Sequence, residues 1–167
     1  MQDGRQVETM QPGNGVAVEV QNLKKNYGNF QALKDVSFSV HTGEVYGLIG
    51  PNGAGKTTTL RVLATLLQIS AGSVQVLGID VGKRPEEVRK VISYLPEEAG
   101  AYRNMKGADY LRFMAGFYAQ SAEEADGIVK RAMGIADLGP AINDKVGTYS
   151  KGMVRKLLLG RALMTRP

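Results

Sequence analysis

Gly50-Pro51-Asn52-Gly53-Ala54-Gly55-Lys56-Thr57 is the stretch whose residue types and spacing point most directly to chemistry. It fits the pattern G-x-x-x-x-G-K-[ST], in which permissive glycines let consecutive backbone N–H groups curl around a phosphate as an anion nest. The candidate donors run through Asn52, Gly53, Ala54, Gly55, Lys56, Thr57 and Thr58. Lys56 adds a point charge for the β- and γ-phosphates of a nucleoside triphosphate, and Thr57 offers a hydroxyl to Mg²⁺. A helix starting at the loop turns its positive N-terminal end towards the same anion. Phosphate binding is therefore expected, while the cradle alone leaves kinases, GTPases and motors open.

The elements around the loop have the context that such a cradle needs. Residues 44–49 are apolar almost throughout, the pattern of a strand buried on both faces. Beyond the loop, Leu60, Leu63, Ala64 and Leu67 fall at the spacing of one helical face. Upstream, Val16, Val18 and Val20 alternate with other residues, as do Val36, Phe38 and Val40 after a Tyr27-Gly28-Asn29 turn, predicting two strands. Further strands are expected at 73–77 and 91–95, with a short helix at 85–90 between them. Past Pro96 the pattern becomes helical, over 106–120, 122–136 and 151–165, and Gly139-Pro140 interrupts it. A strand-rich first half thus precedes a helical second half, without internal repeats or low-complexity tracts.

Composition sets the outer bounds. The 167 residues, 43% hydrophobic and 22% charged, suit a folded domain. With no cysteine, disulfides and thiolate metal sites are excluded. The formal charge of +5 fits attraction to nucleotide, nucleic acid or an anionic membrane, and fits equally a mildly basic solvated surface, because no long run of like charge occurs. No stretch approaches the ~20 apolar residues that cross a bilayer. Residues 1–15 are polar, lack the apolar centre of a signal peptide, and read as a disordered extension.

Other segments resemble a known family. Leu23-Lys24-Lys25-Asn26-Tyr27-Gly28, Ala32-Leu33, Val36-Ser37-Phe38 and Gly43-Glu44 are similar to the opening of ABC transporter ATP-binding subunits. In that family an aromatic before the glycine of the early turn stacks on adenine, and Tyr27 holds this position. Taken by itself, Tyr27 fits equally a turn tyrosine that packs locally. Ile92-Ser93-Tyr94-Leu95-Pro96-Glu97-Glu98 resembles the segment where most relatives place a glutamine after the proline, touching Mg²⁺ or the attacking water. Glu97 replaces it here, a carboxylate that can hold either but adds negative charge near the γ-phosphate. The Leu-Pro-Glu-Glu form resembles the branch of ABC-2-type exporters. Tyr149-Ser150-Lys151-Gly152-Met153 looks like that branch's version of the signature Leu-Ser-Gly-Gly-Gln. There the serine hydroxyl, the Gly152 N–H and the helix dipole face the γ-phosphate bound to the opposite subunit. Read alone, Ser150 is a helix N-cap. Lys151, replacing a glycine, either adds charge or points to solvent.

The resemblance implies an α/β P-loop NTPase of the ABC ATPase type. A strand-rich nucleotide-binding core would span 16–96 and a helical subdomain with the signature 97–167. In the family, an apolar strand ending in Asp-Glu follows the position of Pro167, and a switch histidine comes later; the one histidine here, His41, precedes the loop and reads as structural. The domain is accordingly expected to lack its C-terminal core strands, leaving 45–49 with unpaired edges and bare apolar faces. Hydrolysis by these residues alone should be very slow, since phosphoryl transfer depends on positioning the water. The implied function is that of an ATP-binding subunit that dimerises with a second such subunit, the same or different. It would drive export through a membrane-spanning permease contacted at 97–105, and would sit in the cytoplasm on the inner face of the membrane. ATP and Mg²⁺ are the implied cofactors, with Lys56 and Glu97 in catalytic roles, Thr57 and Glu97 on the metal, and no nucleic acid partner. A non-catalytic ATP-binding or dimerisation module is the alternative. Soluble ABC proteins of translation or DNA repair carry fused cassettes or long inserts that this sequence does not show.

Overall fold

The computed structural model describes residues 15–167, so the extension expected at 1–15 lies outside the described residues except for Gly15. The Gly15 carbonyl accepts from the Thr42 amide at 2.9 Å and from its hydroxyl at 3.1 Å. The chain divides into two compact units, Met1–Lys90 and Val91–Pro167.

In the first unit, β1 (Val16–Tyr27) and β2 (Phe30–His41) pair antiparallel. Gly28, at φ 55, supplies the left-handed residue of the tight turn between them. Between the pairs Val20↔Phe38 and Leu23↔Val36, β1 carries an extra residue. Asn22 absorbs this bulge at φ 48, its amide donating to Ser37 Oγ at 2.8 Å and its side chain to Asp35 at 3.0 Å. The bulge lets both Val20 and Leu23 reach the interior, where they are fully buried. β3 (Ala71–Val76) pairs with the other edge of β1, and the short β4 (Ile79–Asp80) with β3, giving the antiparallel order β2-β1-β3-β4. A side chain at Gly72 (φ 90) would overlap the Asn22 carbonyl, so β3 can approach the bulge only as glycine. Leu77 and Gly78 close the β3–β4 turn with φ 49 and 73, the two positive values of a type I′ turn. α1 (Lys56–Leu63) follows the phosphate loop, and α2 (Pro85–Val91) runs to the end of the unit.

The second unit is helical. α3 (Gly107–Ala115), α4 (Ala122–Ala136) and α5 (Lys151–Ala162) enclose a core of Tyr110, Leu111, Ala115, Ile128, Val129, Ala132, Val146, Leu157, Leu158 and Met164. At Gly160 a Cβ would press on the Ala132 carbonyl and the Ala136 side chain, so the missing side chain allows α4 and α5 to meet backbone to backbone. Ser121 caps α4 by accepting from the Glu124 amide at 3.2 Å, while the Glu124 carboxylate accepts from the Gln120 amide at 2.7 Å. Lys156 Nζ donates to the Asp137 carbonyl and carboxylate, both at 3.2 Å, placing a cation at the C-terminus of α4. Short 3-10 turns at Gly139–Asn143 and Val146–Thr148 lead to α5.

Some sequence expectations need correction. Residues 45–49 form no strand: Val45 and Ile49 are 99% and 96% exposed, and Tyr46 stacks on Phe38 with centroids 5.0 Å apart. An apolar run becomes a strand only where neighbours accept its N–H and C=O groups, and none does among the described residues. The strand expected at 91–95 is also absent, for Val91 ends α2 and the following residues are irregular. α1 stops at Leu63 because Thr65 turns left-handed at φ 62, and its buried positions are Thr59 and Val62 while Leu60 is exposed. α3 and α5 likewise end short of 120 and 165.

Candidate functional site

The cradle is shaped by backbone conformations that only glycine adopts without strain. Gly53 and Gly55 stand at φ 84 and 87. A Cβ on Gly55 would overlap the Leu33 side chain and approach the Ala32 carbonyl to 3.2 Å. The loop therefore rests on β2, with the buried Leu33 as its floor. Sequence reasoning noted Ala32-Leu33 only as part of a family resemblance; the available signal was a leucine within a polar stretch of the strand.

Gly55 is also the N-cap of α1, and no side chain caps that helix. The first-turn N–H groups at Lys56, Thr57 and Thr58 thus point to the loop side without a competing side-chain acceptor. Thr59 is buried, and both its amide (2.8 Å) and its hydroxyl (3.0 Å) donate to the Gly55 carbonyl, pinning the start of the helix. Lys56 Nζ donates to the Gly50 and Pro51 carbonyls at 2.7 Å each, which draws the ammonium inside the loop. Asn52, Gly53, Ala54 and Thr57 are exposed, whereas Gly55, Lys56 and Thr58 are half-buried. Unpaired helix N–H groups, left-handed glycines and a fixed cation together suit a polyphosphate. The Thr57 hydroxyl suits Mg²⁺ as a partial ligand, an ion that draws most of its other oxygens from phosphates and water. Tyr27 belongs to the same unit, 46% exposed at the end of β1, with Lys25 Nζ 5.1 Å from its ring centroid.

Glu97, Ser150 and Gly152 belong to the second unit. Ser150 caps α5, accepting from the Met153 amide at 3.2 Å. Glu97, Lys151 and Gly152 line one open cavity of about 930 Å³, with Arg103 and Arg155 adding positive charge and Val146 and Leu158 apolar wall. Arg155, which sequence reasoning missed, donates to the Pro96 carbonyl at 2.8 Å, and Ser93 Oγ donates to the Ala162 carbonyl at 2.6 Å. These bonds hold the segment leading to Glu97 along α5. Tyr149, just before the cap, donates to the Ala141 carbonyl at 2.7 Å. Burial, reinforced by the nearby Asp144 carboxylate, raises its pKa above the ordinary tyrosine value despite an opposing contact with the Gly107 amide.

Residues 33–167 match the family described as ABC transporter. The chain is 33% identical over 150 residues to the linearmycin resistance ATP-binding protein LnrL of Bacillus subtilis (strain 168), covering 90% of this chain and 48% of that protein. Against the daunorubicin resistance ATP-binding protein DrrA2 of Streptomyces coeruleorubidus it is 34% identical over 154 residues, covering 92% and 48%. It thus spans about half the length of these curated relatives. Among solved structures, an ATP binding subunit of an ABC transporter superposes with a TM-score of 0.72 at 30% identity, covering 90% of this chain and 63% of that one.

Proposed function

The chain belongs to the ABC transporter family, and from that premise we propose that it is the ATP-binding portion of a subunit that powers a membrane exporter. The observation that carries this reading is the cradle itself: an uncapped α1 N-terminus, left-handed Gly53 and Gly55, and Lys56 held over the loop carbonyls. Backbone amides from Asn52 to Thr58 take the phosphates, Lys56 offsets their charge, and Tyr27 stacks on the base. The Thr57 hydroxyl would help to hold Mg²⁺, which when bound supplies positive charge beside the phosphates. Glu97, a carboxylate in place of the family's usual glutamine, would help to hold the metal or the attacking water.

In this reading, residues 16–96 are the nucleotide-binding core and 97–167 the helical subdomain. Ser150 and Gly152, at the start of α5, serve the nucleotide of a second ATP-binding subunit, which makes the working form a dimer. The cavity beside Glu97, with basic and apolar walls, takes a segment of a membrane-spanning permease. No described helix is long and apolar enough to cross a membrane. In this reading the permease provides the path across the membrane, and this chain acts from its cytoplasmic face. The name of another relative, the Nod factor export ATP-binding protein I of Burkholderia orbicola (strain AU 1054), favours export as the direction.

The test is Lys56→Ala in the full chain, titrated with a ribose-labelled fluorescent ATP. Removing a charge-assisted contact worth about 1.5–3 kcal/mol should weaken binding about ten- to hundred-fold. Unchanged affinity would overturn the assignment of the cradle.

A further inference from the structure

Lys25 and Tyr27 are spaced by two along β1 and so share one face of the strand. The register pairs Lys25 with Leu33 and Tyr27 with Phe30, which sets both at the end of the hairpin closed by Gly28. Lys25 is half-buried, and its ammonium lies 5.1 Å from the centre of the Tyr27 ring, within the range of a cation–π contact. The ring is still 46% exposed. One aromatic face is therefore engaged by the Lys25 ammonium while much of the side chain stays open to a ligand.

That arrangement has an electronic and an entropic consequence. An aromatic face is negative because of its quadrupole, and a cation on one side draws that density towards itself. The opposite side becomes a better platform for an electron-rich π-system. The contact also holds the tyrosine in one orientation before a ligand arrives, which lowers the ordering cost of stacking. Purines present a larger and more electron-rich face than uracil or cytosine, and they gain more from both effects.

We infer that Lys25 is a specificity-determining residue, backing the Tyr27 ring so that its free side favours purine over pyrimidine nucleotides. The inference rests on the proposed base-stacking role of Tyr27. It differs from a general electrostatic role for Lys25, in which a positive charge attracts any triphosphate alike and base identity has no influence.

The experiment compares Lys25→Met, Lys25→Arg and Tyr27→Ala in the full chain, each titrated with ribose-labelled ATP and ribose-labelled UTP. Lys25→Met keeps an unbranched side chain and removes the charge, so the ATP analogue should bind about two- to five-fold more weakly, the range for an exposed cation–π contact. UTP affinity should change less, narrowing the preference for purine, and Lys25→Arg should restore it because guanidinium also stacks on aromatic faces. Tyr27→Ala should cost ATP affinity about five-fold or more. Equal losses for ATP and UTP in Lys25→Met, or no loss at all, would overturn the role assigned to Lys25 while leaving Tyr27 in place. An unchanged ATP affinity in Tyr27→Ala would remove the stacking role itself, and the Lys25 inference with it.

Discussion

The two units both bury a core, and they differ in how far their most exposed apolar residues stand open. In the helical unit, Leu111, Ala115, Ala132 and Leu157 are fully buried, and the close approach at Gly160 brings α5 against α4. In the unit that carries the cradle, Val20, Leu23, Leu33 and Val62 are buried as deeply, yet Val45 and Ile49 lie almost wholly in the open. A helix satisfies its own backbone and needs only a partner for one stripe. A strand needs neighbours for its backbone as well, so an unpaired one loses its conformation along with its burial. The difference teaches that apolar character alone does not decide where a segment is stable, and that the cradle's support comes from β2 and Thr59 rather than from the run that precedes it.

The sharpest way to break this comparison is a pair of truncations. Leu157→Ala opens a cavity in a closed core and should cost about 2–5 kcal/mol, whereas Ile49→Ala should stay within about 0.5 kcal/mol. Chemical denaturation measures both, and a large cost at Ile49 would mean that the run at 45–49 is packed after all.

A smaller effect is expected at Tyr149, whose hydroxyl is tied to the Ala141 carbonyl. Tyr149→Phe should cost about 1 kcal/mol. Because the folded pKa lies above the unfolded value, the native state keeps its proton while the unfolded chain loses it. The stability involved is fully present below the unfolded pKa of about 10 and is lost as pH rises through the folded one. Melting curves should thus show an alkaline loss of stability that is reduced in Tyr149→Phe; an identical alkaline slope would assign it to other groups.

The smallest change is expected at Leu77, a half-exposed residue at φ 49 in the β3–β4 turn. Leu77→Asn should raise stability by about 0.5–1 kcal/mol, since asparagine tolerates the left-handed region better. A fall in the denaturation midpoint would show that the leucine packs more than its exposure indicates.

Features governed by local chemistry were legible in the residues. The glycine–lysine spacing of the cradle and the bounds of α4 both depend on neighbours in sequence. Ser150 as the cap of α5 was equally readable. What escaped depends on residues far apart in the chain. The unpaired edges of 45–49 were expected, but not that the run would then form no strand; the Leu33 floor needed the hairpin to fold beneath Gly55, and the early end of α1 followed from a β-branched residue in a left-handed conformation that no local pattern favours. Arg155 looked like an ordinary charged helix residue because nothing near it in sequence reveals that its partner is Pro96. Glu97 and Ser150 were therefore placed by motif, and the bonds that hold their elements together were not.

Those bonds have a consequence for tolerance to mutation. Ser93 and Arg155 both fasten onto main-chain carbonyls, at Ala162 and Pro96. A carbonyl survives almost any replacement of the residue that bears it, so the receiving ends can drift while the clasp persists. The burden falls on the two donors. A library of single substitutions should find Ala162 permissive wherever helix and packing allow, and Ser93 and Arg155 restrictive out of proportion to their exposure, a lopsided pattern across partners that touch each other.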